Sequence, residues 1–306
     1  MSTADQIAAR TARAVAAATA AGRSLGLPVD DPRVLHDVFS VVVHLAPAPV
    51  VARVPTVLPR SYAEDPGRQT DRQRTELAVT GWLADRGQPV VAPTPLLPRE
   101  PVRRDGFSMT FWEYVDERRD VDPPLEQRFD MTARLHAALR DYDGPGLGFW
   151  APLRDYIGDG LAELKGRPDL LDPADHQRAQ RQWDEIGPAL ASREAFEAAF
   201  PGVAVQPIHG DAPSYNLICT AAGLRWSDFE LVTVGPVEFD LAMTGDDGAA
   251  AYDDAATRLG LRTLDVRVRR LTEAAGQLAA VACLALVPQL PLLAEALAPA
   301  VDAWRG

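Results

Sequence analysis

Lysine is all but missing from this chain. Of 31 basic side chains in 306 residues only Lys165 is a lysine, so chemistry elsewhere that needs a fixed cation must take it from arginine. Cysteine is scarce too. Cys219 and Cys283 make no disulfide framework, read as packing residues and fit a reduced, cytoplasmic compartment. Positive charge is in deficit: a formal net charge of -12 and a pI near 4.9 argue against nucleic acid as a partner, which demands a basic face. The same acidic balance suits cationic small molecules, and it also simply keeps a chain soluble. Long apolar runs are absent. The longest, Leu278 to Val287, is ten residues and is ended by prolines, too short to span a bilayer, so no membrane partner is expected. The Ala-rich opening, with its run "AVAAATAA", lacks the apolar weight of a secretion signal and reads as an N-terminal helix.

What is present falls into two halves. "VFSVVVHL" and "VVARV" are β-branched runs separated by "APAP", which predicts two antiparallel strands joined by a tight connection. A polar segment, "LPRSYAEDPGRQTD", follows. "RQRTELAVTGWLADRG" then has helical periodicity that stops at Gly87, with Pro89 just beyond. "GFSMTFWEYV", residues 106–115, reads as one more strand running into the charged connector "DERRDVDPP". From Leu125 the pattern becomes helical: Phe129, Thr132, Leu135 and Leu139 fall on one side of a helix, and more helices are expected around "DHQRAQRQWDEIGPAL" and from Asp265 onward. "NLICTAAGLRWSDFE" is the one strand-like interruption there, a hairpin turning at Ala221-Ala222-Gly223. The fold class is therefore α+β.

The stretch "HGDAPSYN", His209 to Asn216, leads into that hairpin. An aspartate and an asparagine five residues apart in one loop have a joint use in phosphoryl transfer, where a hydroxyl must lose a proton and a magnesium ion must be held. The hairpin adds a third group, because it folds Asp228 at its exit back toward Asn216 at its entry.

"HGDAPSYN", "WSDFE" and "VGPVEFDLA", in that order and at close spacing, resemble the aminoglycoside phosphotransferase and choline kinase-like family, small-molecule relatives of protein kinases. The likeness extends over most of the chain. It implies a two-lobed protein-kinase-like fold, with a small antiparallel-sheet lobe for the nucleotide over residues 1–114, leading helix included, and a larger helical catalytic and acceptor-binding lobe over residues 115–306. It also implies a kinase that moves a phosphoryl group from ATP or GTP to a hydroxyl, with Mg2+ as cofactor. In that reading Asp211 is the proton acceptor, Asn216 and Asp228 hold the metal, and His209 braces the loop. Asp240 is the buried aspartate that bonds the catalytic loop. Glu230 is either a contributor to a second metal or an exposed strand carboxylate.

The resemblance also asks the first lobe for a cation and a carboxylate to orient the donor phosphates. With no lysine there, Arg53 occupies the matching place and can fork two donors onto phosphate oxygens. Glu76 shares a helix stripe with Val79, Thr80 and Leu83, so it is expected to face the sheet and pair with Arg53. The first hairpin has no glycine-rich phosphate loop; it offers Ser40 and backbone amides. Adenine is expected on backbone groups of the connector, Glu113 to Val115. The acceptor is expected to be a hydroxylated antibiotic or metabolite, a cationic one among the candidates, met between the hairpin and the C-terminal helices. Asp246, Asp247, Asp253 and Asp254 are candidates to attract it, although a solvated loop explains them as well, and packing explains Trp150, Trp183 and Trp304. The competing reading is a catalytically silent, kinase-like binding protein, signalled by Arg53 and the missing glycines; the trio Asp211, Asn216 and Asp228 weighs against it.

Overall fold

A computed structural model describes residues 3–306 and resolves them into two compact units, one running to Asp116 and taking in Pro288–Leu290, the other Glu117–Val287 with Pro291–Gly306. In the first, α1 (Thr3–Ser24) precedes β1 (Val29–Asp37), β2 (Ser40–Pro47) and β3 (Val50–Pro55). After α2 (Arg60–Glu64) and α3 (Pro66–Asp85) come β4 (Val102–Arg104) and β5 (Phe107–Glu113). The five strands form one antiparallel sheet in the order β1-β2-β3-β5-β4. The β2–β3 hairpin pairs Val43 with Ala52 and Val42 with Arg53, as the two β-branched runs lead one to expect.

Strand alternation sorts the side chains onto two faces. Val41, Val43, Val50, Ala52, Val54, Met109 and Phe111 pack in one cluster with Ala14, Ala17, Ala18 and Ala21 of α1. The opposite face carries Val42, Val51, Arg53, Thr110 and Trp112, set side by side by the pairings of Arg53 with Val42 and Thr110 and of Val51 with Trp112, and meets Leu77 of α3.

The first unit differs from the sequence reading in three places. β1 carries little strand signal, since "VDDPRVLHD" is polar and contains Pro32; it forms at the sheet edge, where a proline's missing N–H is tolerated. The polar segment is largely helical: Asp65 caps α3 by accepting from the Gly67 amide at 2.9 Å, and Pro66 takes the first helical position. The strand expected over residues 106–115 is shorter, ending at Glu113, and finds its edge partner in β4. The end of α3 agrees with expectation. Gly87, at φ 70°, donates to Ala84 and Gln88 to Leu83, the double closure that a left-handed residue after a helix permits.

Pro288–Leu290 groups with this unit through Gln289. Its side-chain amide pairs with both backbone groups of Leu58, at 2.9 and 3.3 Å, and its carbonyl accepts from Arg10 at 3.0 Å.

The second unit is mainly helical: α4 (Leu125–Leu139), α5 (Leu153–Leu164), α6 (Pro173–Ile186), α7 (Arg193–Ala199), α8 (Gly245–Arg258), α9 (Val266–Cys283), α10 (Leu293–Ala296) and α11 (Ala298–Arg305). Phe129, Trp150, Ile157, Leu161, Phe196, Tyr252 and Leu278 share its core. Two small sheets interrupt the helices rather than one: β6 (Gln206–Ile208) pairs with β9 (Thr233–Gly235), and β7 (Leu217–Thr220) with β8 (Gly223–Trp226). The acidic run expected as a loop lies in α8, where Asp246 pairs with Arg269 and Asp253 accepts from the Leu264 amide. Among the described residues no helix is long and apolar enough to cross a membrane.

Candidate active site

On the sheet face opposite α1, Arg53 projects from the middle of β3 and meets Glu76 of α3 at 2.6 Å, with side chains 11% and 2% exposed. The carboxylate sits where a charge needs a partner, and the guanidinium supplies it. The register places Ser40 and Val42 on this same face, since Ser40 lies opposite Pro55 and Val42 opposite Arg53. Ser40 itself is buried at the start of β2. Where β5 leaves the sheet, the Glu113 amide donates to Ala92 at 2.9 Å and the Tyr114 amide to Pro49 at 3.0 Å, so neither N–H is open to a ligand. Tyr114 stacks on His44 with ring centroids 3.9 Å apart.

In the second unit the loop "HGDAPSYN" hangs from a buried carboxylate. Asp240, in the short 3-10 helix Val237–Leu241, is wholly buried and accepts from the amides of His209 and Gly210, at 2.9 and 2.8 Å, and from Nε2 of His136 at 2.9 Å. Gly210 has to be glycine: at φ 83° an added Cβ would stand 2.0 Å from the Leu231 carbonyl oxygen. His209 is buried as well, contacts the Ser227 carbonyl through Nε2 at 2.9 Å and packs against Phe229.

Beyond that anchor the loop turns twice. Tyr215 donates to Ala212 and Asn216 to Pro213. Asn216 Nδ2 donates to both the carbonyl and the carboxylate of Asp211, at 2.9 and 3.1 Å, and this orientation leaves its Oδ1 as an acceptor. The Asn216 carbonyl takes the amide and hydroxyl of Ser227 at 2.9 and 3.1 Å, which extends the β7–β8 pairing by one step and seats Asp228 next to it. The turn is Ala221-Ala222, and Gly223 supplies φ 110°. Asp228 is left-handed at φ 60°, ψ 56°, a region uncommon for non-glycine residues in which aspartate is enriched. Both Asp211 and Asp228 are exposed to solvent. Asp211 is nonetheless crowded by protein atoms, and that burial, with the charges of Asp228 and Asp240 adding to it and His209 and Asn216 opposing, raises its pKa above the ordinary carboxylate value. Glu230 lies in the 3-10 turn Phe229–Leu231, half-buried, and not on a strand.

Several contributors escaped the sequence reading. His136 is buried on α4 and its Nδ1 meets the Tyr252 hydroxyl at 2.8 Å; a titratable residue on the same stripe as Phe129 and Leu139 was the available signal. Glu238, wholly buried, forms a two-pronged pair with Arg262 at 2.6 and 2.8 Å and accepts from the Asp265 amide, which fixes the turn that carries Asp240. Trp150 and Trp304 are buried in the core and Trp183 packs against it, so all three are packing residues. A groove of about 1220 Å³ between α1 and β1, lined by residues such as Ala8, Ala12, Thr19 and Val34, contains none of the chemistry-bearing groups and is not the site.

The model of the APH phosphotransferase enzyme family matches residues 30–274. The chain belongs to that family. Solved structures agree on the fold. The aminoglycoside phosphotransferase APH(3'')-Id from Streptomyces rimosus is 17% identical with TM-score 0.55, over 86% of this chain and 97% of that one. The choline kinase LicA from Streptococcus pneumoniae is 14% identical with TM-score 0.60, over 89% and 90%. The amicoumacin kinase hAmiN, solved with AMP-PNP, Ca2+ and Ami, is 13% identical with TM-score 0.58, over 88% and 85%. At such identities the likeness establishes an α+β, protein-kinase-like fold and leaves the substrate open. No curated protein matches the chain. As a member of this family it is a phosphotransferase, of the small-molecule kinase kind.

Proposed function

We propose that this phosphotransferase moves the γ-phosphoryl group of ATP or GTP to a hydroxyl of a small molecule, in the cytoplasm. The observation that carries the reading is one loop, held by Asp240, that presents an exposed Asp211 of raised pKa beside Asn216 and Asp228. As the acceptor oxygen bonds to phosphorus and the bridge to the β-phosphate breaks, Asp211 takes the hydroxyl proton. The Asn216 Oδ1 and the Asp228 carboxylate are hard oxygen donors of the type magnesium prefers. Among the described residues no group of three His, Cys, Asp or Glu assembles, so these two would hold the ion together with phosphate oxygens and water. When bound, the ion neutralises charge on the donor phosphates. Glu230, turned into a 3-10 helix, is a lesser candidate for a second ion.

Arg53, oriented by Glu76, contacts the donor phosphates in this reading, with Ser40 on the same sheet face. Since the Glu113 and Tyr114 amides are already donated within the protein, the nucleobase takes the Glu113 carbonyl and the Val115 amide. The structural neighbours named for aminoglycoside, choline and amicoumacin chemistry support a hydroxylated acceptor that also bears an amine, which suits the net charge of -12. Of the α8 acids, Asp246 and Asp253 have internal partners, so Asp247 and Asp254, both exposed, are the ones left to attract it.

The test is a screen of hydroxylated antibiotics and amino-alcohol metabolites for phosphorylated products with ATP and GTP, run on the wild type and on Asp211→Asn. Turnover confined to the wild type, with Mg-nucleotide affinity alike in both, supports the reading. Metal-independent nucleotide binding with no turnover on any acceptor would favour a silent binding protein.

A further inference from the structure

Two grips on the "HGDAPSYN" loop come from the motifs themselves: the Asp240 carboxylate on the His209 and Gly210 amides, and Ser227 on the Asn216 carbonyl. A third, from outside the motifs, comes from Arg128 in the first turn of α4. Its Nη1 donates to the Ser214 carbonyl at 2.9 Å, its Nε donates to Pro123 at 3.0 Å, and its Nη2 bonds Asp122. Its guanidinium carbon lies 5.9 Å from the centre of the Tyr215 ring, within cation–π range. Only 18% of the Arg128 side chain is exposed, so the fork is held from several sides.

Ser214 stands between Asp211 and Asn216, and its carbonyl has a role that the loop's own turns do not fill. The carbonyls of Asp211, Ala212, Pro213 and Asn216 are occupied by partners from Asn216, Tyr215, Asn216 and Ser227. The Ser214 carbonyl is taken from outside, by Arg128. The same α4 reaches the loop's other end through His136 and Asp240. Arg128 and His136 are eight positions apart, about 12 Å of helix rise. One helix thus supports both ends of the loop, the amides through a carboxylate and the carbonyl through a guanidinium.

We infer that Arg128 is a positioning residue that sets the distance between Asp211 and the Asn216 Oδ1 by fixing the peptide between them. This rests on the reading of Asp211 as base and Asn216 as metal donor. The readouts are amide hydrogen exchange at Tyr215 and Asn216, and Mn2+ affinity measured by electron paramagnetic resonance with a non-hydrolysable nucleotide. Arg128→Ala is expected to speed exchange at both amides by about ten-fold, as loss of a charge-assisted hydrogen bond implies, and to weaken Mn2+ binding several-fold, with exchange in β7 and β8 unchanged. Arg134→Ala, which removes an exposed pair with Asp130 on the same helix, is expected to leave both readouts as in the wild type.

Wild-type exchange and Mn2+ affinity in Arg128→Ala would overturn the inference. So would uniform acceleration across the whole unit, the mark of a general structural role. If that variant does not fold, Arg128→Lys carries the test, because one ammonium cannot grip Ser214, Pro123 and Asp122 together; intermediate values support the inference and wild-type values overturn it. Exchange reports the clamp alone, and turnover of Asp211→Asn reports the base alone, so either reading can fail without the other.

Discussion

The two faces of the five-stranded sheet are closed by helices of opposite character. Against α1 the interface is alanine on valine: Ala14, Ala17, Ala18 and Ala21 meet Val41, Val43, Val50 and Val54, all of them buried. Against α3 it is polar to an unusual degree, with Gln69, Gln73, Glu76 and Thr80 all buried on the helix and Ser108 and Thr110 buried on β5. The apolar cluster on that side is Val51, Leu77 and Trp112, with Val42 and Tyr114 packed against it. Burial of apolar area stabilises without specifying a direction, whereas a buried polar group has to be met at one place. The first face therefore holds the sheet together, and the second orients Arg53. Ser108 donates to Gln73 at 2.5 Å and Trp112 to Thr110 at 2.9 Å, so the ion pair sits within a set of fixed contacts.

The largest expected effect falls on the polar face. Arg53→Ala or Glu76→Ala alone breaks a buried ion pair from one side and is expected to destabilise the fold by about 3–5 kcal/mol. The joint change to Met at both positions restores most of that stability without restoring turnover. Denaturant melts and kcat on the three variants check this, and an active double Met variant would erase the functional contrast between the faces.

On the apolar face, Ala18→Leu forces methylenes into a filled interface and is expected to cost about 1–3 kcal/mol. Nucleotide affinity per folded molecule is expected to stay the same, which calorimetry on the folded fraction can decide. Gln73→Leu, which strips the partner from Ser108, is expected to cost about 1–2 kcal/mol and to lower kcat more than Ala18→Leu does at equal loss of stability.

The second unit repeats the contrast on a smaller scale: Asp240 is buried and fully bonded, whereas Asp211 and Asp228 are exposed. The raised pKa of Asp211 means that the folded chain holds this proton more tightly than the unfolded one. Its contribution accordingly favours folding below the unfolded value of about 3.9 and is lost as pH rises through the folded value. Asp211, the proposed base, is ionised only above that raised value. The acidic limb of kcat/KM is expected to lie above the ordinary carboxylate range and to move to lower pH as divalent metal is raised, because a cation beside Asp228 offsets its charge. A limb that ignores metal concentration would separate Asp228 from the site. The smallest effect is expected at Thr80. Its buried hydroxyl has no protein partner among the described residues, so Thr80→Val is expected to change stability by less than about 1 kcal/mol in a thermal melt.

Local chemistry was legible wherever neighbours in the chain do the work. The α3 stop at Gly87, the hairpin turn before Gly223 and the inward stripe of Glu76, Val79, Thr80 and Leu83 depend on spacings of a few residues. Arg53 stood out because lysine was missing. The strand β1 did not, since its burial comes from pairing with β2 rather than from its own composition. The acids of α8 looked like a loop because the arginine and the amide that engage Asp246 and Asp253 come from α9 and the segment before it. His136 and Arg128 were invisible for the same reason, with partners 104 and 86 residues away.

By itself the sequence determined the motif order, the fold class and which side chains carry charge where lysine is absent, because these depend on residue identity and short-range periodicity. Only the tertiary structure decided that Asp240 and Arg128 grip opposite ends of one loop, that the Glu113 and Tyr114 amides are already engaged, and that α3 presents a polar face to the sheet. Each of those depends on atoms brought within about 3 Å by segments far apart in the chain, and no local pattern encodes such a distance.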